Sequence, residues 1–517
     1  MVRQGQDVDK LTGSSRFQTP PWTRESQPWQ DIDATLEGNH LARIVDLCVD
    51  RFVDLSDFLQ EYGRRGSPAY PPVLLLKAVV YQMACGELSP AAWHKQAKDS
   101  KAMKWLLFGG NVSRRRWYAF RDRVGPYLPE VIAQVIALAR RMGLTEAKAG
   151  SLDGTFVAAN ASRHRMLNSK RLGIRCGQLE EAVAQDEAGL PVERPGQWMA
   201  STASGRAQQR ERYRRAEEKM KTLQEKNQRR RSDKRKKAEK ILVSATDPDS
   251  VYGRDKDKVF RPLYNVQLVH DLETPLVLAY EVFAEPSDSG LLQPMIERFE
   301  ALNGHSPRTV VADSAYAEPE DLKFCQERGI DLIAPYQENG LPRRNGERRG
   351  AGGLVPKEAF VWDESRQVYR CPEGHELRFE GRSTRQRSGG GTVRFEIYRC
   401  DPEHCLSCAR QTECTTAPAK GRTVRRHEHQ ELIDAHRLKM ETPEARAQYR
   451  QRGSRSERIF ADFKQHRNLR RFSGRGLDRV RTEVALLVLA HNLRALYTLL
   501  QQRNEESLPQ EPLKIPP

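Results

Sequence analysis

The sequence predicts a mixed α/β fold, with an all-helical region ahead of it and a β-rich insertion late in the chain. Three observations predict this. Residues 36–145 carry apolar side chains at helical spacing. From residue 147 onward, short runs rich in Val, Leu and Tyr are interleaved with helical stretches. Residues 338–445 break that rhythm with Gly, Pro, Arg and Cys. A chain of 517 residues exceeds what one compact core usually holds, so two or three domains are expected.

The elements follow in order. Residues 1–35 are polar and weakly periodic, and read as a loose tail. His40–Leu59 places Leu41, Ile44, Val45, Val49, Phe52 and Val53 at helical spacing. Pro71-Pro72 open an apolar helix over Val73–Ala84, which Gly86 closes. Ser89-Pro90 read as a cap and first turn for a helix ended by Gly109-Gly110. Ser113–Arg121 begin a basic, aromatic-bearing helix, and Pro129–Met142 an amphipathic one. Such a bundle fits DNA binding through Arg114, Arg115, Arg116 and Arg121. The competing reading buries Trp117, Tyr118 and Phe120 and leaves the arginines merely solvated.

Residues 147–160 switch to a strand pattern. Residues 205–241 read as a highly charged helix with too few apolar positions for a core, either a solvated arm or a contact to a phosphate backbone. Tyr264–His270 and Leu276–Phe283 read as strands, Leu291–Leu302 as a helix, Thr309–Ala312 as a buried strand, and Ile330–Ala334 as another after a helix from Glu318. Residues 146–337 thus form the first part of an α/β unit. Residues 338–445 read as an insertion with β character, residues 446–502 as the closing helices, and residues 503–517 as a polar tail.

Charge narrows the function. Lys plus Arg number 86 against 69 Asp plus Glu, a net +17, and the basic residues are unevenly spread. This favours a polyanion partner. The polar start, Met1–Lys10, is unlike a leader peptide. No stretch is expected to span a bilayer, so the protein reads as cytoplasmic and free of membrane. Nine cysteines in so long a chain do not suggest a disulfide framework.

Three carboxylates stand out. Asp153 ends a strand-like run, Asp313 follows Val310-Val311-Ala312, and Glu457 sits near a helix start. Two strand-borne aspartates and a helix-borne glutamate can converge on one end of a sheet. Carboxylates with water and phosphate oxygens suit Mg²⁺, and two ions roughly 4 Å apart clamp an in-line phosphoryl displacement. Each residue also has a plain reading: Asp153-Gly154 as a hairpin turn, Asp313-Ser314 as a turn cap, and Ser454–Glu457 as a helix capping box.

Several stretches together resemble the DDE transposases of bacterial insertion sequences, in the branch with a Tyr-Arg-Glu-Lys signature, related to the IS4-like transposases. They are Ser151–Ser162, Val311–Tyr316, Glu457–Lys464, the helical region Asn39–Gly125, Thr246–Asp271 and Arg470–Asn492. The resemblance covers most of residues 36–500. It implies an RNase H-like catalytic core with the β insertion between Asp313 and Glu457. It also implies Asp153, Asp313 and Glu457 as ligands of Mg²⁺ or Mn²⁺, and DNA contacts from Tyr449, Arg452 and Lys464. The implied activity is binding of element ends, DNA strand cleavage and strand transfer, by a homodimer on terminal inverted repeats and target DNA. A silent DNA-binding regulator and a nuclease of the same fold are the alternatives.

One spacing departs from the signature: four residues rather than three separate Arg452 from Glu457. In a continuous helix the extra residue turns a side chain by about 100°. A helix starting at Ser454 would remove that argument. Lys464 lies seven residues past Glu457, nearly two turns, on the same face.

Five cysteines fall between Cys371 and Cys414. Cys405-x-x-Cys408 has a zinc-knuckle spacing, and Cys371 and Cys414 complete four ligands for a structural Zn²⁺, with Cys400 or His404 as substitutes. A set of reduced cysteines in a small β module is the other reading.

Overall fold

A computed structural model describes residues 16–63, 67–230, 232–336, 343–344, 347–348, 354–386 and 392–503. At its centre lie five strands: β1 (Ala149–Ala158), β2 (Phe260–Asp271), β3 (Val277–Phe283), β4 (Thr309–Val311) and β5 (Asp331–Ile333). Their order is β3-β2-β1-β4-β5. The β1–β2 and β2–β3 pairs are antiparallel, whereas β1–β4 and β4–β5 are parallel. A short strand, Val251–Arg254, pairs with the first part of β2 on the side away from β1. Residues 262–271 of β2 are buried throughout, including the polar Asn265, Gln267, His270 and Asp271.

The N-terminal helices form as the caps and breakers predict. Pro72–Ala84 is almost wholly buried, and Gly86 behind it adopts φ 82°, a conformation that stops a helix cheaply only at glycine. The Ser89 hydroxyl accepts the Ala92 N–H at 3.1 Å, capping Pro90–Asp99. Two segments expected as single helices are each two: His40–Leu59 gives Leu41–Phe52 and Ser56–Gln60, and the stretch from Ser89 to Gly110 gives Pro90–Asp99 and Lys101–Leu106, divided at Ser100, whose hydroxyl caps the second. The tail is shorter than expected. Phe17 and Trp29 are buried, and Trp29 stacks on Trp105 at 5.2 Å.

Three further expectations are corrected. The charged helix over 205–241 ends at Gln228 and has a partner the sequence reading missed. Helix α2 (Ser169–Glu187) packs on α3 (Ala203–Gln228) around Leu172, Leu179, Tyr213, Ala216 and Met220. Arg206 of α3 pairs with Asp186 of α2, so part of its charge is used internally. The insertion does contain β structure, a five-stranded antiparallel sheet in chain order from Val361–Asp363 to Thr423–His427. The chain then returns to the α/β core with helix Gln430–Glu441. His436 Nε2 pairs with the Ala334 carbonyl at 2.7 Å, and Lys439 Nζ donates to that of Leu332 at 2.9 Å. Helix α4 (Pro443–Ala461) runs unbroken through Gly453, so Ser454 is no helix cap.

Helix α5 (Leu477–Arg503) binds the whole together. It packs against the N-terminal helices 41–52, 72–84 and 128–141 and against β3. Its Asn492 side chain accepts the Val277 N–H at 2.9 Å and donates to the Val277 carbonyl at 2.8 Å, completing the edge of the sheet. It is also long and apolar enough to cross a membrane, contrary to expectation, yet 72% of that apolar window is buried within the protein. Its hydrophobicity is that of a central core helix.

Leu487 of α5 is fully buried. Leu487→Ala is expected to lower stability by about 2–5 kcal/mol, measured by urea unfolding.

Candidate active site on the central sheet

Strand register builds this site. Strands β1 and β4 run parallel with Ser151 opposite Val311. Two residues further along the chain come Asp153, still within β1, and Asp313, just beyond the end of β4. Adjacent strands lie about 4.8 Å apart, so the pairing delivers the two carboxylates side by side. Neither plain reading of Asp153-Gly154 as a turn survives: both residues lie inside β1. Gly154 is needed there, because a Cβ would overlap the side-chain amide nitrogen of Gln267 on β2. Asp313 does cap a turn, accepting the Ala315 N–H at 2.8 Å through one oxygen, and its other oxygen faces Arg452.

Arg452 stands between the carboxylates. Its Nη2 lies 3.3 Å from Asp153 Oδ1 and 3.7 Å from Asp313 Oδ2, while its buried Nε has no hydrogen-bond partner among the described residues. One turn earlier on α4, Tyr449 packs on Val311 and Ile333 beside Ala445, which seats the helix on β4 and β5. Burial pushes the Asp153 carboxyl above its usual range, against the opposing pull of Arg452 and the Gly154 N–H.

Glu457 is not brought into this group. Because α4 is continuous, Glu457 lies five residues beyond Arg452, turned by about 140° around the axis. Its side chain is exposed. Among the described residues no group of three or more His, Cys, Asp or Glu side chains is disposed to hold a metal ion. Lys464, seven residues further on, is half-buried and donates to the Phe156 carbonyl of β1 at 3.2 Å, so it is not a freely solvated lysine. Burial and the neighbouring Lys256 lower its pKa to about 8.

The sequence reading missed four neighbours. Lys256, from the hairpin between Val251–Arg254 and β2, acts electrostatically on both Asp153 and Lys464. The Tyr316 hydroxyl bonds Gln267 Oε1, and Gln267 Nε2 donates to Asp288 Oδ1 at 2.8 Å. Tyr316 feels Asp288, Asp153 and Asp313 together. Lys256 and Gln267 lie in the family-like stretch Thr246–Asp271, and Tyr316 in Val311–Tyr316. Asp288 carried no signal.

The predicted DNA-contacting arginines divide. Arg114, Arg115 and Arg116 are exposed at the start of helix α1 (Arg114–Val124). Arg121 is buried and ion-paired with Asp122 at 2.7 Å, so its role is structural. Trp117 and Phe120 are core, and Tyr118 is half-buried beside Arg114 and Arg121. The cysteines also meet: Cys371, Cys400, Cys405, Cys408 and Cys414 line one cavity in the insertion, with His404.

Two family models match this chain. Both are models of transposase domains, each matching less than half of the chain. Residues 370–497 match a transposase DDE domain, and residues 30–122 match a transposase domain (DUF772). The first match spans the five clustered cysteines and the last three strands of the inserted sheet, together with Tyr449, Arg452, Glu457 and Lys464. The second covers most of the N-terminal helices, including the exposed arginines of α1. Asp153 and Asp313 fall between the two matched segments. No curated protein and no solved structure matches this transposase-like chain.

The Lys464 ammonium carries its charge below about pH 8 and loses it above, whereas an ordinary lysine stays charged to pH 10.5. A phosphate contact made by Lys464 therefore weakens as pH rises through about 8. Wild-type DNA affinity, measured by fluorescence anisotropy, is expected to fall across that interval, and Lys464→Arg to remain flat.

Proposed function

We propose that this chain is an insertion-sequence transposase, with an RNase H-like core, that cuts DNA at element ends and joins it to a target. The observation that carries the reading is the pair Asp153 and Asp313, set side by side by adjacent parallel strands under a helix of the matched DDE domain. The strand order, three antiparallel strands followed by two parallel ones on the far side of β1, supports the RNase H-like assignment.

The donor set suits a hard divalent cation. Mg²⁺ is commonly held by one or two carboxylates, with water and substrate phosphate filling the remaining positions. Asp153 and Asp313 would hold it, and Glu457 is the proposed third ligand once its exposed side chain is drawn in from α4. When bound, such ions supply Lewis acidity to the phosphoryl oxygens and favour an activated attacking oxygen.

The chain's own residues do the rest. Arg452 neutralises the two carboxylates and holds them together. Lys464 is placed on β1 to hold a phosphate. Lys256 adds positive charge beside both. In cleavage a water oxygen bonds to phosphorus, the P–O3′ bond breaks, and the 3′ oxygen takes up a proton. In strand transfer that 3′-hydroxyl attacks a target phosphodiester and displaces its 3′ oxygen. The exposed arginines at the start of α1 and the overall +17 charge supply the non-specific part of DNA binding. A homodimer holding paired terminal inverted repeats belongs to the same proposal.

One observation favours a second reading. Glu457 is exposed and Arg452 lies between the carboxylates, an arrangement that also suits a silent DNA-binding protein.

Asp153→Asn is expected to abolish Mg²⁺-dependent cleavage of end-bearing DNA while leaving binding within about twofold, read by gel assay and anisotropy. Residual Mg²⁺-dependent cutting by that variant would remove Asp153 from the site. No cutting by the wild type with Mg²⁺ or Mn²⁺ would favour the silent protein, and cutting without joining a nuclease. Arg452→Gln is expected to lower melting temperature without Mg²⁺ and to enlarge the stabilisation that Mg²⁺ gives, because two adjacent carboxylates are left without their counter-charge. DNA affinity should also drop steeply with salt; a flat dependence would contradict the basic-surface argument.

A further inference from the structure

The inserted sheet has little core of its own. Its buried apolar cluster consists mainly of Phe360, Tyr369, Leu377, Tyr398 and Val424, with Trp362 packed beside them. Small modules of this kind commonly gain stability from a disulfide or a metal. All nine cysteines of the chain are free thiols, yet five of them converge here from separate parts of the insertion. Cys371 starts a tight turn, Cys400 ends the strand Thr392–Cys400, Cys405 lies in the short helix Pro402–Leu406, Cys408 follows that helix, and Cys414 ends the helix Gln411–Cys414. They enclose a cavity of about 30 Å³, enough for one small occupant.

Two details mark the sulfurs as acceptors rather than core atoms. The His375 N–H points at Cys371 Sγ at 3.3 Å, within a turn where the Gly374 N–H bonds the Cys371 carbonyl and Gly374 sits at φ 84°. The Arg422 N–H points at Cys405 Sγ, also at 3.3 Å. Backbone N–H groups aimed at sulfur stabilise a thiolate far more than a thiol, since the S–H group is a weak acceptor. The thiols also sort themselves. Cys414 interacts electrostatically with Cys405, Cys371 and Cys408. Cys400 hydrogen-bonds Cys405 and lies near Cys371, but it is the most deeply buried of the five, at the strand end.

We propose that Cys371, Cys405, Cys408 and Cys414 bind one structural Zn²⁺ that fastens the two helical turns of the insertion to its sheet, with Cys400 lying beneath the site as a packing residue. Each of the four thiols releases a proton on binding, so the tetrathiolate centre carries a net −2. Arg422 balances part of that charge. Its Nη1 and Nη2 hold the carbonyls of Cys414 and Val355, both at 2.8 Å, which places its guanidinium against the cluster. The side chains ring the cavity without forming a ligating group, so metal binding requires the thiols to turn into the cavity. The proposal concerns a module apart from the aspartate pair and stands whether or not the chain cuts DNA.

The test is the metal content of the full-length protein, purified without chelator, by elemental mass spectrometry. It is paired with optical spectra of the cobalt(II)-loaded protein. About one zinc per chain is expected, with a cobalt spectrum showing sulfur charge transfer and tetrahedral bands. Cys405→Ser and Cys414→Ser should each lose more than about nine-tenths of the zinc, and Cys400→Ser should keep it. Wild-type protein that neither contains zinc nor develops the cobalt bands overturns the proposal. Loss of zinc in Cys400→Ser with retention in Cys414→Ser overturns the ligand set. Should the serine variants fail to fold, the wild type answers alone. Stripping zinc with a strong chelator should open residues 355–427 to protease, and zinc should restore protection; unchanged protection after stripping refutes a structural metal.

Discussion

The parallel pairing of β1 with β4 is the constraint on which the site depends. Those two strands are far apart in sequence, and their pairing alone puts Asp153 next to Asp313. Bringing two carboxylates together in a half-buried place is unfavourable unless a cation is supplied. Arg452 supplies it, and Tyr449, one turn away, fixes α4 on β4 and β5 so that the guanidinium reaches both acids. Sheet register and helix docking therefore stabilise each other through charge.

Much of this was legible in the residues. The strand patterns put Asp153 and Asp313 at strand ends; Asp313 does follow β4, whereas β1 runs on past Asp153 to Ala158, and the register makes the two neighbours. The breakers and caps at Pro72, Gly86 and Ser89 located the N-terminal helices because capping is local chemistry. Long-range packing was the illegible part. Helix α3 seemed too polar for a core because its apolar residues serve a small cluster shared with α2, whose own sequence is equally mixed. Trp29 lay in a polar stretch and gave no periodic sign of the aromatic stack it joins. In α5 the apolar residues surround the helix because it has partners on all sides, which length and hydropathy alone cannot distinguish from a membrane span.

The five-residue step from Arg452 to Glu457 along α4 sets the two side chains on different faces of the helix. The unbroken helix turns Arg452 toward the aspartates and Glu457 toward solvent, while Lys464 returns to β1 two turns later through the π-helical segment Asp462–His466. A wider helical turn of this kind absorbs an additional residue locally. Here it lies between the Glu457 position and the Arg467–Asp462 ion pair that leads out of the helix.

The position of α5 also orders events during synthesis. The helices at residues 41–141 leave the ribosome early, but the surface they bury belongs to a segment translated near residue 500. Until that segment emerges, their apolar faces stay uncovered and open to chaperones or to a neighbouring nascent chain. Fragments of interrupted translation that end before α5 would lack the helix that covers both the N-terminal bundle and β3.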